Sequence, residues 1–299
     1  MVSSSRRAFL MGRRPPQTAW QSFCSRLKAR VQGEWSLLSA EPDHEQARLE
    51  PASSADVHMV LTLAAEYGVT VCLEGVPQAS ETDGPVIVLA PGRQMARCDR
   101  LEPNSNRWFV QPGCLLGEME AKGFQGLATA PAGMTVAAWL ADRRQHDWPS
   151  GRTALSGVLH CSVILADNTQ AALGPFGQDN RNPLDSLRMQ QLIPALFRLM
   201  GEPDTQALRQ EHWPCRYRLD ALEPRDGDGI NLAHLMLGHG GGLAWVEWLV
   251  LDETVLSGSD PQDWSWPNQE QPWQAQDVDS RIKALFDPTD RFSYPGQML

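Results

Sequence analysis

No Cys-x-x-Cys pair occurs in this chain. Its six cysteines, Cys24, Cys72, Cys98, Cys114, Cys161 and Cys215, are scattered, so neither an iron–sulfur site nor a zinc ribbon is written here, and a reducing compartment fits best. Electrons passing through such a chain need a carrier elsewhere. No run of the roughly 18 apolar residues needed for a membrane-spanning helix is present. Positive charge is in deficit: 26 Lys and Arg against 36 Asp and Glu give a net charge of −10. That balance argues against nonspecific binding to nucleic acid or to an anionic membrane surface. Tyrosine is scarce, at three residues, beside eleven tryptophans; indoles in that excess serve core filling or stacking on a ring. What is present is core. Hydrophobic residues make up 42% of 299 positions, enough for one large domain or two lobes rather than a disordered chain.

The N-terminus carries Ser5-Arg6-Arg7-Ala8-Phe9-Leu10, which resembles the core of a twin-arginine export signal. Such a signal continues into an apolar stretch, whereas Met11-Gly12 runs straight into Arg13-Arg14-Pro15-Pro16. The expectation is a retained basic arm on a cytoplasmic protein, with export as the alternative.

Residues 18–31 have helical spacing, with Trp20, Phe23 and Leu27 on one face, and 33–50 read as polar and irregular. Ser53-Ser54-Ala55-Asp56 opens a second helix, with Ser53 and Asp56 as an acidic capping box, Val57, Val60, Leu61 and Ala64 as the apolar face, and Gly68 as the stop. Strands are predicted at 69–73, 86–90 and 108–110. A short helix carrying Leu115, Leu116 and Met119 ends at Gly123. Residues 158–166 and 169–173 form a hairpin about Asp167-Asn168. A helix is predicted over 192–200 with Pro194 in its first turn, and an apolar strand over 245–251 central to a sheet. The Trp- and Pro-rich segment 258–276 has no period and reads as a loop.

The stretch 108–157 organises the rest. A loop of small residues, Ala128-Thr129-Ala130-Pro131-Ala132-Gly133-Met134-Thr135, opens onto Val136-Ala137-Ala138. Small side chains and a glycine let main-chain N–H groups close on a ligand, and a nest of such groups holds phosphate. Q-P-G-C-L-L-G-E-M from Gln111 to Met119 resembles the P-G-x-x-L-x-E/D turn of the FAD-linked oxidases, the vanillyl-alcohol-oxidase or PCMH-type flavin family. Thr135-Val136-Ala137-Ala138 falls where that family writes T-[IVL]-G-G against the flavin. Residues 139–144 and Gly151-Arg152-Thr153-Ala154-Leu155-Ser156-Gly157 resemble a G-L-S-G-P-R…G-x-x-R-D-x-V-L-G run of the glycolate-oxidase type of FAD subunit. Residues 231–244 resemble its N-L-A-x-L-x-x-G-S-E-G-T-L-G motif, and 284–296, with Phe286-Asp287-Pro288 and Tyr294-Pro295-Gly296, resemble its C-terminal F-D-P…N-P-G turn.

The resemblance implies an α+β fold of the PCMH type, two α/β lobes with FAD between them. It assigns the cofactor to Gly75, Val76, Pro77, Gln78, Ala79, Pro131, Gly133, Thr135, Val136, Ala137, Gly151, Arg152 and Gly157. It divides the chain into a basic arm and outer helix (1–48), an FAD-binding domain (49–252), and a Trp/Pro-rich loop with a C-terminal turn packing back on that domain (253–299). Several positions depart from the pattern. The family's R-G-G-G-x-S becomes Glu74-Gly75-Val76-Pro77-Gln78-Ala79-Ser80: one glycine survives, Pro77 removes an amide donor, and Glu74 adds negative charge. Ala137-Ala138 replace Gly-Gly, Thr153 replaces Asp, and Gly240 replaces Glu. The histidine that attaches flavin covalently in some relatives is missing between residues 71 and 80, so FAD is expected to be noncovalent.

A flavin dehydrogenase needs a base near the substrate hydroxyl. His160, His212, His234 and His239 are candidates; His239, in the Gly-rich turn, is the one carried forward, a structural hydrogen bond being the alternative for each. No metal is expected. Relatives place a large substrate-binding cap between the closing motif and the C-terminal turn, where only 252–282 stands here. A further oxidoreductase subunit carrying a cap or an electron-transfer centre is therefore expected. Two functions remain open: an FAD-binding subunit similar to that of glycolate oxidase, acting on a 2-hydroxy acid within a complex, or a flavin-free structural or regulatory subunit that kept the fold.

Overall fold

A computed structural model describes residues 17–41, 44–76, 84–127, 130–146, 148–177, 184–225, 227–258 and 271–294. Helix α1 (Ala19–Lys28) starts where Thr18 and Gln21 close a reciprocal capping box: Gln21 N donates to Thr18 Oγ1 and Thr18 N to Gln21 Oε1. Trp20, Phe23 and Leu27 are buried, as their spacing predicts, against the apolar face of α2 (Ser54–Tyr67).

Two sequence-based expectations fail here. The segment expected to be irregular contains β1 (Glu34–Ser39) and β2 (Gln46–Glu50), paired antiparallel. In β2 only Ala47 and Leu49 are buried, and two apolar residues among charges are too few to show a period of two. The second failure is the capping box of α2. Ser53 makes no side-chain cap bond. The buried Asp56 carboxylate instead accepts from the backbone N–H groups of Gln32, Gly33 and Ala52 at 3.0, 2.9 and 2.9 Å, pinning the α1–β1 connection to α2. Gly68 does end the helix in the left-handed conformation, at φ 68°.

β1 and β2 join β3 (Thr70–Leu73) and β4 (Val86–Leu89) in a four-stranded sheet of order β1-β2-β4-β3, in which β4 runs parallel to both of its neighbours. A second sheet is antiparallel throughout. Its strands are β5 (Cys98–Arg100), β6 (Arg107–Val110), β7 (Val158–Ile164), β8 (Gln170–Leu173) and β9 (Trp245–Asp252), in the order β5-β6-β9-β7-β8. β9 takes the centre, where its apolar run can be covered on both faces, and the β7–β8 hairpin turns with Asn168 at φ 67°. The fold is α+β, with one hydrophobic cluster centred on each sheet.

Helices α3 (Leu116–Ala121), α4 (Val136–Ala141), α5 (Leu187–Met200), α6 (Pro203–Ala207), α7 (Glu253–Gly258) and α8 (Trp273–Phe286) complete the described α-helices, beside five short 3-10 turns. α5 begins earlier than expected, where Ser186 Oγ accepts from Met189 N, so Pro194 stands in its interior rather than in its first turn. α8 corrects the loop expected to run to residue 276. Its Ala275, Val278, Ile282 and Phe286 are buried, and the helix packs on α5. Among the described residues no helix is long and apolar enough to cross a membrane. The Ser5–Leu10 stretch, residues 259–270 with Trp264 and Trp266, and Pro295-Gly296 lie outside the described residues.

Candidate functional site

The two sheets meet at a small cavity of about 10 Å³, room for about one water. One wall is the end of β3 with Leu89 of β4, at the carboxyl ends of parallel strands, where open α/β sheets ordinarily bind ligands. The opposite wall is Ala137 of α4, the turn carrying His239 and Gly241, and Trp245 at the start of β9. Phe292 closes one side. Phe292 is there because the C-terminal segment runs beside β3 as a short parallel bridge: Val71 N donates to Arg291 O, and Ser293 N to Val71 O, each at 2.9 Å.

A buried lock holds that segment. Lys283 Nζ donates to Asp287 Oδ2 at 2.6 Å and to Phe292 O at 3.0 Å, while Phe292 N donates to Asp287 Oδ2 at 2.7 Å. Arg291 Nη1 reaches Ala64 O at 2.7 Å. The F-D-P motif thus positions a pocket wall.

The turn bearing His239 owes its shape to glycine. Gly238 and Gly241 lie at φ 69° and 76°, a region other residues enter at a cost. A Cβ on Gly238 would stand 2.9 Å from Arg143 Cα, and one on Gly241 would stand 2.8 Å from Leu73 Cβ. The turn is stitched to the end of α4 by Gly238 N to Leu140 O (2.8 Å) and Gly240 N to Ala141 O (2.9 Å).

His239 is buried, and burial lowers its pKa from 6.5 to about 4, so the imidazole is neutral at pH 7. A neutral ring hydrogen-bonds well but is a weak base. Its Nδ1 has no hydrogen-bond partner, nor does the indole Nε1 of buried Trp245. The other candidate histidines are placed differently. His234 is buried with both ring nitrogens engaged, Nδ1 with Thr153 Oγ1 at 3.0 Å and Nε2 with Val158 O at 2.8 Å. His160 is half-buried against Gly174, and His212 is part-buried. Among the described residues no group of His, Cys, Asp and Glu is arranged to hold a metal ion.

The structure brings part of the expected cofactor set together. Gly75, just past β3, faces α4, where its Cβ would stand 3.2 Å from Ala138 Cβ; Val76 beside it is buried, and Ala137 lines the pocket. Pro77, Gln78 and Ala79 lie outside the described residues. Glu74 is not a bare negative charge. Arg48 grips it through Nε at 2.5 Å and Nη2 at 2.9 Å.

The expected nest of amides is engaged within the protein instead. Val136 N donates to Cys114 O at 2.9 Å, Ala137 N to Pro112 O at 3.0 Å, and Ala138 N to the capping Thr135 Oγ1 at 3.2 Å. Pro131 and Gly133 sit in an exposed turn laid against α3, with Gly117 N donating to Ala132 O at 2.9 Å. Gly157 lies at the far end of the β7–β9 pair from Trp245, since Val158 pairs with Leu251 and Ile164 with Trp245. That separation is roughly 20 Å at about 3.3 Å per residue. Gly151 there donates to the buried Asp220 carboxylate at 2.8 Å, and Arg152 is exposed.

The sequence offered no local sign of Trp245 or Phe292 as pocket residues. One begins a strand and the other follows a polar turn, and only the meeting of the two sheets makes them neighbours.

No protein-family model and no curated protein matches the sequence. Among solved structures, a variant of BBE-like 1 from Physcomitrella patens is 10% identical with a TM-score of 0.44, over 79% of this chain and 44% of that one. The glucooligosaccharide oxidase of Acremonium strictum is 15% identical with a TM-score of 0.42, over 77% and 42%. The 6-hydroxy-D-nicotine oxidase of Arthrobacter nicotinovorans is 12% identical with a TM-score of 0.42, over 74% and 42%. The chain spans less than half the length of each of these structures.

Proposed function

We propose that this chain is an FAD-binding subunit of an oxidoreductase, similar to the FAD subunit of glycolate oxidase, and that it serves the oxidation of a 2-hydroxy acid within a complex. One observation carries the proposal: a buried, largely apolar pocket between two sheets, with two unpartnered polar nitrogens among its lining residues. Mostly apolar walls with a few polar groups are the usual lining of a cofactor site, and the walls here must part to admit a ring, since the space between them holds about one water. FAD, when bound, supplies hydride acceptance from an activated C–H bond. The chain's own residues contribute shape and exclusion of water: Leu73 and Phe292 as apolar walls, Ala137 as a small contact, and His239 as a neutral hydrogen-bonding group. A histidine lowered to about 4 orients a group better than it removes a proton, so the base belongs to substrate-binding parts contributed by another subunit. The isolated chain should accordingly show negligible dehydrogenase activity toward glycolate or lactate with FAD and an artificial acceptor, and gain it only with that subunit.

The flavin-free reading is favoured by a different observation, the engagement of the Val136–Ala138 amides within the protein, which takes three donors from a diphosphate. Visible absorption of the purified protein, followed by titration with FAD, decides between the two. Flavin absorbance that moves to the supernatant on acid precipitation supports noncovalent FAD. A colourless protein that FAD does not stabilise leaves the structural or regulatory role.

A further inference from the structure

The cysteines are scattered in sequence, but two of them meet in space. β5 and β6 pair with Cys98 opposite Val110, and the turn after β6 folds back along β5. Gln111 N donates to Arg97 O and Gly113 N to Met95 O, each at 2.8 Å, and Arg97 N donates to Gln111 Oε1 at 3.0 Å. That return sets the Cys114 thiol in hydrogen-bonding contact with the Cys98 thiol. Both residues are buried, and both thiols are free. β5 is the outer strand of its sheet, and Cys98 lies between exposed Arg97 and Asp99, so the pair sits near the rim of the fold, within reach of a reagent little larger than water.

The two sulfurs are not equivalent. The hydrogen bond from Cys98, helped by the Lys122 and Arg93 charges, lowers the Cys114 thiol below its usual 9.0 despite burial and Glu118. The same bond, with burial, pushes Cys98 up. The other four thiols are raised chiefly by burial, and Cys24, the one only partly buried, stands at about 11. Peroxides oxidise the thiolate rather than the thiol. Cys114 is therefore the sulfur they select, and Cys98 is in place to resolve the product.

We propose that Cys98 and Cys114 are a peroxide-oxidisable dithiol that closes into a disulfide and clamps the turn holding α4. The Cys114 thiolate attacks one peroxide oxygen, the O–O bond breaks with loss of hydroxide, and a sulfenic acid forms. Cys98 sulfur then attacks Cys114 sulfur: an S–S bond forms, the S–O bond breaks, and water leaves with the Cys98 proton. Two thiols are oxidised and one hydrogen peroxide is reduced to water; thiol reductants reverse the change. The clamp reaches the candidate site, because Cys114 O accepts from Val136 N at 2.9 Å and Pro112 O from Ala137 N at 3.0 Å, and Ala137 lines the cavity. No bound flavin is needed, so failure here leaves the proposed function untouched.

The full chain is treated with a slight excess of hydrogen peroxide without denaturant, its remaining thiols are alkylated after unfolding, and the digest is mapped by mass spectrometry. The expected product is a linked Cys98–Cys114 peptide pair, about 2 Da lighter than the two thiols, that dithiothreitol releases. In Cys98→Ser, dimedone should trap a sulfenic acid at Cys114; in Cys114→Ser, trapping at Cys98 should be about tenfold slower or more. Deuterium exchange at the amides of Val136 and Ala137 should slow about tenfold in the oxidised wild type and recover on reduction. The two wild-type readouts decide the proposal even where a serine variant fails to fold. A native wild type that forms no Cys98–Cys114 link, or that oxidises first at Cys24, would overturn the dithiol, as would a link seen only in urea. A native link that leaves both amides exchanging as before would overturn the clamp. Equal trapping rates in the two variants would overturn Cys114 as the reacting sulfur.

Discussion

Single positions in the Gly-rich turn carry more of the fold than their size suggests. Gly241 and Gly68 share a left-handed backbone, at φ 76° and 68°, but a Cβ at Gly68 meets nothing within 4 Å, whereas at Gly241 it meets Leu73 Cβ at 2.8 Å. Gly68→Ala is therefore expected to cost only the conformational term, about 1–2 kcal/mol. Gly241→Ala adds overpacking of about 1–3 kcal/mol and presses on the end of β3 at the pocket. Urea denaturation of the two variants checks this; equal midpoints would show that the β3 contact relaxes freely. The glycines were legible as a closing motif. Their reason was not, because it lies in Arg143 and Leu73, nearly 100 and more than 160 residues upstream.

At the scale of elements, the C-terminal segment depends on the Lys283–Asp287–Phe292 lock. Lys283 and Asp287 are both buried. Removing the carboxylate by Asp287→Ala strands the Phe292 N–H and leaves the Lys283 ammonium with only Phe292 O and the exposed Asp290 carboxylate at 3.1 Å, a loss of up to about 3–5 kcal/mol. Hydrogen exchange should then speed up at the amides of Val71 and Ser293, which bond across the bridge. Thr18→Ala, which opens the capping box of α1 at the other end of the described chain, should cost about 1 kcal/mol and leave those two amides protected. Exchange unchanged in Asp287→Ala would mean that the Arg291 contacts hold the segment alone. The F-D-P motif was readable; its partner lysine was not, because Lys283 sits on α8, whose polar residues on the buried face, Asp279 and Lys283, broke up the apolar period.

For the whole molecule, buried histidines set the response to acid. Burial, the largest cause for each, lowers His146 from 6.5 to about 3 and both His234 and His239 to about 4. The unfolded chain takes up these protons below pH 6.5 while the folded chain does not, so their contribution is complete above pH 6.5 and is lost as pH falls toward 4. Each group is worth up to about 1.4 kcal/mol per pH unit, and the three together roughly 4. Asp279 acts in the opposite sense: burial raises it from 3.8 to about 6, so its carboxyl favours folding as pH falls from 6 to 4 and offsets about 1.4 kcal/mol per unit. Histidine wins. The urea midpoint should fall clearly from pH 7 to pH 5, and tryptophan fluorescence should report acid unfolding at about pH 4–5, given the ~5–15 kcal/mol typical of domains. His239→Phe should move that transition to lower pH. A midpoint unchanged between pH 7 and pH 5 would contradict the histidine account.

The elements whose burial is periodic are readable from the residues alone: the capped α1, the α2 face with its Gly68 stop, the β7–β8 hairpin, and the apolar run of β9 that must lie inside a sheet. These follow from local chemistry, in which spacing, caps and turn residues act within a few positions of one another. Which polar groups remain available is settled by packing. The amides of Val136–Ala138 look open to a ligand in sequence, yet Pro112, Cys114 and Thr135 take them. Glu74 looks like a bare charge, yet Arg48 takes it. Trp245 reads in sequence only as the start of an apolar strand, yet it shares a pocket with His239. Hydrogen-bond satisfaction of a buried group depends on what is packed against it, and in this chain the packing brings together β3, α4, the 238–242 turn, β9 and the C-terminal segment, which lie far apart in sequence.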